Sequence, residues 1–145
     1  MKKAILIITL VLAISHLSNS QVAIKWQRTI GGAGYDDLNA LELSNDGGFF
    51  IGGSSYSMIS GEKTENSMGI MQDYWTLKLD ATGNIQWQNT IGGLDWDALH
   101  SITKKNDGGC FLGGHSYSGI SGDKVDSSKG LNDYWIVELD DSGNI

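Results

Sequence analysis

The chain has 145 residues, a formal net charge of −7, twenty glycines, no proline and a single cysteine. An acidic protein repels phosphate backbones and anionic lipids, which argues against nucleic acid or a membrane surface as its partner. A disulfide within the chain is excluded because Cys110 has no second cysteine to pair with. Cys110 is therefore a free thiol or a small buried hydrophobe, and its match to Phe49 in an internal repeat favours burial.

Residues 1–20 are typical of a secretory signal peptide. Two lysines precede an apolar run over residues 4–14, and small residues, Ser18 and Ser20, follow it. The apolar run is too short for a helix that spans a bilayer, which needs about 20 residues. We therefore predict cleavage after Ser20 and a secreted or cell-surface location.

The rest of the chain matches itself at an offset of 61 residues, which falls to 60 after Gln72. A period of this length is typical of solenoids, propellers and arrays. We predict two tandem repeats, residues 21–86 and 87–145. The matched motifs are W-Q-x-T-I-G-G from Trp26 and Trp87, N-D-G-G from Asn45 and Asn106, G-G-x-S-Y-S from Gly52 and Gly113, S-G-[DE]-K from Ser60 and Ser121, D-Y-W from Asp73 and Asp133, and L-D-x-[ST]-G-N-I from Leu79 and Leu139.

Alternating apolar residues between glycine-rich turns predict short antiparallel strands throughout the two repeats. No window has a sustained helical period, and the Gly- and Ser-rich residues 57–72 and 118–132 are predicted to be long loops. The fold class is therefore all-β, with tandem four-stranded antiparallel repeats like the blades of a β-propeller. The predicted strands cover residues 38–43, 49–55, 74–79, 85–88, 99–103, 110–116 and 134–139, with a further half-hairpin at 23–30.

The full set of motifs in order resembles the repeats of bacterial secreted β-propeller-like proteins, many of which are exported by the type IX secretion route. The resemblance covers residues 24–145. It implies a propeller and an exported protein, and it carries over no catalytic residue. Members of that family typically have more copies and often a C-terminal sorting domain, whereas this sequence has two copies.

The predicted propeller is incomplete. A closed propeller needs about four to eight blades, and two blades leave strand edges open to water. Either the sequence is a fragment of a longer chain with further repeats, or its first and last strands pair into a compact unit of eight strands. We expect the fragment.

Acidic residues recur at equivalent positions of the two repeats. Asp123, Asp126 and Asp133 share one loop and are a candidate Ca²⁺ site, since Ca²⁺ takes six to eight oxygen ligands. The alternative is that these residues cap turns and keep the surface soluble. His100 and His115 fit no zinc-ligand spacing and are interpreted as repeat variation, so no other cofactor is predicted.

Two pairs of equivalent aromatic residues are candidates for ligand binding: Tyr35 with Trp96, and Tyr56 with Tyr117. Exposed rings among polar residues are typical of sugar-binding faces, because a ring presents an apolar plane with little entropy to lose. The alternative is burial between blades.

The sequence thus predicts an exported, non-enzymatic binding or scaffold module, with an extracellular protein or a glycan as partner. The alternative is a fragment, or the sugar-binding appendage, of a secreted carbohydrate-active enzyme. The many carboxylates in turns single out no acid and base pair, so no catalytic residue is nominated.

Overall fold

The computed structural model describes residues 23–145, and the predicted signal peptide lies outside them. These residues form seven strands, with no helix long and apolar enough to cross a bilayer. The all-β prediction is confirmed. The strands are β1 (Asp36–Leu43), β2 (Phe49–Ser55), β3 (Asp73–Leu79), β4 (Ile85–Ile91), β5 (Asp97–Lys104), β6 (Cys110–Ser116) and β7 (Asp133–Leu139).

The strands form two antiparallel sheets. Sheet 1 has the order β1-β2-β3-β4 and sheet 2 has the order β5-β6-β7. Equivalent residues of the two repeats keep the same register, since Ser55 faces Asp73 in sheet 1 and Ser116 faces Asp133 in sheet 2. Both sheets also have an irregularity at the same place in their first strand pair.

The turns between strands are built by a side chain that binds backbone amides. The Asp80 carboxylate accepts hydrogen bonds from the Thr82 and Asn84 amides at 2.8 and 2.9 Å, and these bonds hold its pKa far below the usual range. Gly83 completes the turn at φ +85°, a conformation that costs glycine little. Asp140 and Gly143 repeat this arrangement in the second copy.

The two long loops are fixed by the S-G-[DE]-K motif. In the first loop the Glu62 amide donates to the Gly31 carbonyl at 3.0 Å, and the Gly31 amide donates to the Glu62 carboxylate at 3.2 Å. Asp123 and Gly92 make the same reciprocal pair in the second loop. The glycine pairs and the S-G-[DE]-K motifs therefore anchor each other, which explains why they occur together in each repeat.

Each sheet has two distinct faces. The tyrosine face carries Tyr74, Thr76 and Lys78 in sheet 1 and Tyr134, Ile136 and Glu138 in sheet 2, and the tryptophan face carries the residues that alternate with them. The tyrosine face of sheet 1 packs on the tryptophan face of sheet 2, and the main core lies between them. Its buried members are Phe50, Tyr74, Ile91, Leu99, Ile102, Cys110, Leu112, Val137 and Leu139. The expected burial of Cys110 is confirmed.

The structure differs from the sequence prediction in its strand count. Sheet 1 has the expected four strands and sheet 2 has the three predicted between residues 99 and 139, but residues 23–30, predicted as a further half-hairpin, form no strand. The pairing of first and last strands is therefore absent from residues 23–145. The segment lies instead on sheet 1, where the Trp26 ring is 6.0 Å from the Phe49 ring and the Arg28 guanidinium donates to the Gly83 carbonyl at 2.7 Å.

Candidate functional site

The four aromatic candidates lie where the first two strands of each sheet begin and end. Tyr35 and Trp96 directly precede β1 and β5, and Tyr56 and Tyr117 directly follow β2 and β6. The Tyr56 amide donates to the Tyr35 carbonyl at 2.9 Å, and the Tyr117 amide donates to the Trp96 carbonyl at 2.8 Å. Each pair is thus held at the same edge of its sheet by the same backbone hydrogen bond.

In the second repeat these rings belong to an exposed cluster. The Trp96 and Tyr117 rings stack at 5.8 Å with an angle of 19° between their planes, and the His115 ring meets both edge-on at 6.1 Å. The His100 Nε2 and His115 Nδ1 atoms are 2.8 Å apart. These four residues are called the aromatic cluster below, and 41% of Trp96 and 38% of Tyr117 is exposed.

The first repeat has no equivalent of this cluster. Asn39 and Ser54 occupy the positions of the two histidines, and within residues 23–145 neither Tyr35 nor Tyr56 takes part in an aromatic ring pair. Tyr35 is 80% exposed and Tyr56 is 40% exposed. The structure therefore brings together two of the four predicted ligand-binding residues and leaves the other two as single exposed rings.

The two histidines were missed as site residues by sequence reasoning. They are fifteen positions apart and meet because β5 and β6 pair antiparallel, with an irregularity between Leu99 and Ser101. Sequence reasoning could have found them, because the N-D-G-G turn indicates how β5 and β6 pair. In that hairpin the two histidines replace Asn39 and Ser54 of the first repeat. Burial lowers the pKa of the His115 imidazole, and the charge of His100 lowers it further.

A buried carboxylate holds the backbone under the aromatic cluster. One Asp97 oxygen accepts from the Gly93 amide at 2.7 Å and from the Ser118 hydroxyl at 2.9 Å. Asp36 makes the equivalent bonds to Gly32 and Ser57. The chain segments that carry Trp96 and Tyr117 are therefore tied together beneath the rings.

Two carboxylates of the candidate Ca²⁺ site, Asp123 and Asp133, have separate local roles. Asp123 accepts from the Gly92 amide at 3.1 Å, and Asp133 accepts from the Lys129 amide at 2.6 Å. Across residues 23–145, no three His, Cys, Asp or Glu side chains are placed so that they hold one metal ion. Calcium binding by Asp123, Asp126 and Asp133 stays a prediction without added support from the geometry.

One carboxyl has a strongly raised pKa, and it is buried. Burial raises the pKa of Asp73 to about 7, and the nearby charges of Asp97 and Asp123 act in the same direction. Asp73 has no exposed surface, and its Oδ1 atom has no hydrogen-bond partner. This carboxyl therefore lies beneath the surface of the described residues.

Comparison with known proteins gives no family assignment. No protein-family model matches this chain, and no curated protein is significantly similar to it in sequence.

Proposed function

We propose that this chain is an exported, non-enzymatic binding or scaffold module built of β-propeller-like blades, and that its aromatic cluster contacts a sugar ring of a glycan. The observation that carries the proposal is the stacking of the exposed Trp96 and Tyr117 rings beside two hydrogen-bonded imidazoles. The indole and phenol rings present an apolar plane to the C–H face of a sugar. The imidazole nitrogens supply donors and acceptors for its hydroxyl groups.

Burial between blades is the competing role for these rings. The first repeat argues against it, because Tyr35 and Tyr56 stay 80% and 40% exposed although sheet 2 covers the tyrosine face beside them. Another sheet packed on sheet 2 in the same way would leave Trp96 and Tyr117 accessible. The aromatic cluster is thus compatible with a larger propeller.

Three observations support the blade architecture and export. The tyrosine face of sheet 1 packs on the tryptophan face of sheet 2, and the two sheets have the same strand register. The ordered motifs resemble those of type IX-associated secreted proteins. Residues 1–20 have the pattern of a signal peptide.

The alternative function, a fragment or sugar-binding appendage of a secreted carbohydrate-active enzyme, shares this surface. We favour the non-enzymatic role because no acid and base pair is apparent among the described carboxyls: Asp73, whose pKa rises to about 7, is buried, and Asp123, whose pKa burial also raises, accepts a hydrogen bond from the Gly92 amide. Polysaccharide hydrolysis by the exported protein, abolished by single Asp or Glu substitutions, would favour the alternative.

A glycan array followed by titration calorimetry tests the proposal. We expect binding to at least one glycan, and we expect Trp96→Ala and Tyr117→Ala each to weaken it roughly tenfold or more, since buried aromatic contacts dominate binding energy. Leu43→Ala is the control, because Leu43 is an exposed apolar residue at the last position of β1 in sheet 1, whereas the aromatic cluster lies on sheet 2. Binding that survives both cluster substitutions would refute the assignment of this site.

A further inference from the structure

Sheet 2 has an open strand edge. In sheet 1 the outer edge of β3 is paired with β4, whereas β7, the equivalent of β3, pairs with β6 alone among residues 23–145. A groove of about 980 Å³ runs along this edge, lined by Lys124, Asp126, Tyr134, Trp135 and Glu138 among others. The groove lies where β4 lies in sheet 1.

Residues 24–30 have the sequence of the missing strand. They read I-K-W-Q-R-T-I, against I-Q-W-Q-N-T-I in β4, yet they form no strand and residues 24–29 are exposed. β4 makes two sets of contacts. It pairs with β3 inside sheet 1, and it also contacts the turn that follows β7 in sheet 2. Residues 24–30 make the second set only: Arg28 donates to Gly83 as Asn89 donates to Gly143, and Trp26 lies against Gly83 as Trp87 lies against Gly143.

The interface between the two sheets has a side chain that fits a slot. The Tyr74 ring is fully buried 5.1 Å from the Trp135 ring, and its hydroxyl donates to the Trp135 carbonyl at 3.1 Å. That hydroxyl lies 2.6 Å from where a Cβ on Gly114 would be, so the slot requires glycine.

Among residues 23–145, the outer face of sheet 2 carries an equivalent tyrosine that enters no slot. The outer face of sheet 1 carries an equivalent slot that holds no tyrosine from this part of the chain. Tyr134, the equivalent of Tyr74, is 95% exposed, with Ile136 71% exposed beside it. Gly53 and Trp75, the equivalents of Gly114 and Trp135, line an open cavity of about 320 Å³ on the tryptophan face of sheet 1.

We propose that the β7 edge and tyrosine face of one copy bind residues 24–30 and the tryptophan face of a second copy, reproducing the interface between sheets 1 and 2. Residues 24–30 of the second copy pair with β7, and Tyr134 enters the slot formed by Gly53 and Trp75. Continuity with the internal interface selects a second copy as the occupant. The register of β3 with β4 predicts the pairs Tyr134 with Ile30, Trp135 with Thr29, Ile136 with Arg28, Val137 with Gln27 and Glu138 with Trp26.

Two polar side chains that line the groove, Lys124 and Asp126, can bind the incoming segment. Lys63 and Glu65 bind the hydroxyl and the amide of Thr90 in sheet 1, and Lys124 and Asp126 are placed to bind Thr29 in the same way. Two internal contacts are not reproduced: the ion pair of Lys78 with Asp141 becomes Glu138 with Ala81, and the Asn39 amide that donates to the Leu99 carbonyl becomes His100 opposite Leu38. The interface between copies is therefore weaker than the one within the chain.

The two binding surfaces differ, so the contact is head-to-tail. Contacts of this kind close into rings or extend into filaments. A closed propeller of about four to eight sheets corresponds to about two to four copies of this chain. The assembly goes beyond the glycan contact proposed above and does not rest on it, because Trp96 and Tyr117 stay exposed in both arrangements.

Sedimentation equilibrium of the exported chain tests the assembly. We expect species of two or more copies, and Tyr134→Glu to weaken association roughly tenfold or more. Tyr134→Glu will fold because the side chain is almost fully exposed. Tyr35→Glu, at another exposed tyrosine outside the interface, is the control. A wild-type chain that stays monomeric at every attainable concentration would overturn the proposal, even if glycan binding is intact.

A complementation experiment tests the head-to-tail geometry. Thr29→Pro removes the amide that would donate to Asp126, as the Thr90 amide donates to Glu65, and lies in a segment that forms no strand. Each of Thr29→Pro and Tyr134→Glu alone is expected to be monomeric, whereas their mixture forms a one-to-one dimer and nothing larger. Cysteines at Arg28 and Ile136 should crosslink between copies, while cysteines at Lys25 and Ile136 should not. Crosslinking that ignores this register would also overturn the proposal.

Discussion

The ammonium group of Lys63 donates a hydrogen bond to the Thr90 hydroxyl and lies 5.3 Å from the centre of the Trp75 ring. Only 1% of Lys63 is exposed. Burial lowers the pKa of this lysine, while the carboxylates of Asp73, Asp36 and Glu65 oppose that change. The lysine of the S-G-[DE]-K motif thus joins the long loop to the last strand of sheet 1.

Lys63→Met is expected to destabilise the chain by about 1–2 kcal/mol, because it removes a charged hydrogen bond and a cation–π contact while keeping most of the apolar stem. Urea denaturation measures the change. Lys124→Met is the matched control: Lys124 lies 5.7 Å from the Trp135 ring but has no side-chain hydrogen bond within residues 23–145. An equal loss in the two variants would show that the Thr90 bond contributes nothing.

Asp73→Asn is expected to stabilise the chain above neutral pH. Burial raises the pKa of Asp73 to about 7, so the folded chain holds a proton that the unfolded chain loses near pH 4. Stability from this group is therefore present below about pH 4 and is lost as pH rises towards 7. The asparagine variant should flatten this fall, and its gain at pH 8 is of the order of a few kcal/mol at most.

Thermal unfolding between pH 4 and 8 measures the effect of Asp73→Asn. Asp133→Asn, at the equivalent position of the second repeat, controls for the loss of one carboxylate. If Asp73→Asn and the wild type show the same slope over this range, Asp73 is ionised in the folded chain and the prediction is wrong.

His100→Asn is expected to raise the pKa of His115. Burial lowers the pKa of His115 and the charge of His100 adds to this, so removing His100 removes the second cause and leaves the first. A base with a lowered pKa contributes stability at neutral pH that is lost as pH falls below its ordinary value. Asparagine is the residue that the first repeat carries at this position, Asn39.

NMR titration of the His115 ring checks the change in both proteins. A titration midpoint that does not move in His100→Asn would contradict the 2.8 Å contact between the two rings.

The Cys110 thiol is expected to react with an alkylating reagent only after unfolding. It is fully buried, and burial raises its pKa to about 11, so the thiolate is scarce at neutral pH. The folded chain should therefore label at the rate of unfolding, while the chain in denaturant labels at once. Rapid stoichiometric labelling of the folded chain, followed by mass spectrometry, would contradict the burial.

Local patterns predicted the strands well. The alternation in β3 and the glycine turns at Asn45 and Asn106 depend on neighbouring residues, so the sequence alone located them. Residues 24–30 are the opposite case, because they share their pattern with β4 and yet form no strand. A strand needs a partner edge, and the β3 edge that such a sequence fits is occupied by β4 itself.

Long-range contacts limited the prediction of the candidate site. Equivalence of the repeats singled out Trp96 and Tyr117, which the structure stacks together. The imidazole pair depended on the register between β5 and β6, including its irregularity, and the docking of Glu62 on Gly31 joins residues 31 positions apart. Neither contact is visible in local periodicity.

The placement of β4 has a consequence for how the chain unfolds. Its residues from Trp87 onward open the second copy in sequence, yet they complete sheet 1 and also contact Asp141 and Gly143 beyond β7. Neither copy can therefore melt without exposing apolar surface and unpaired amides on the other. In a repeat array, strong coupling between neighbours makes separate units behave as one. The two copies should consequently lose their structure in a single cooperative transition.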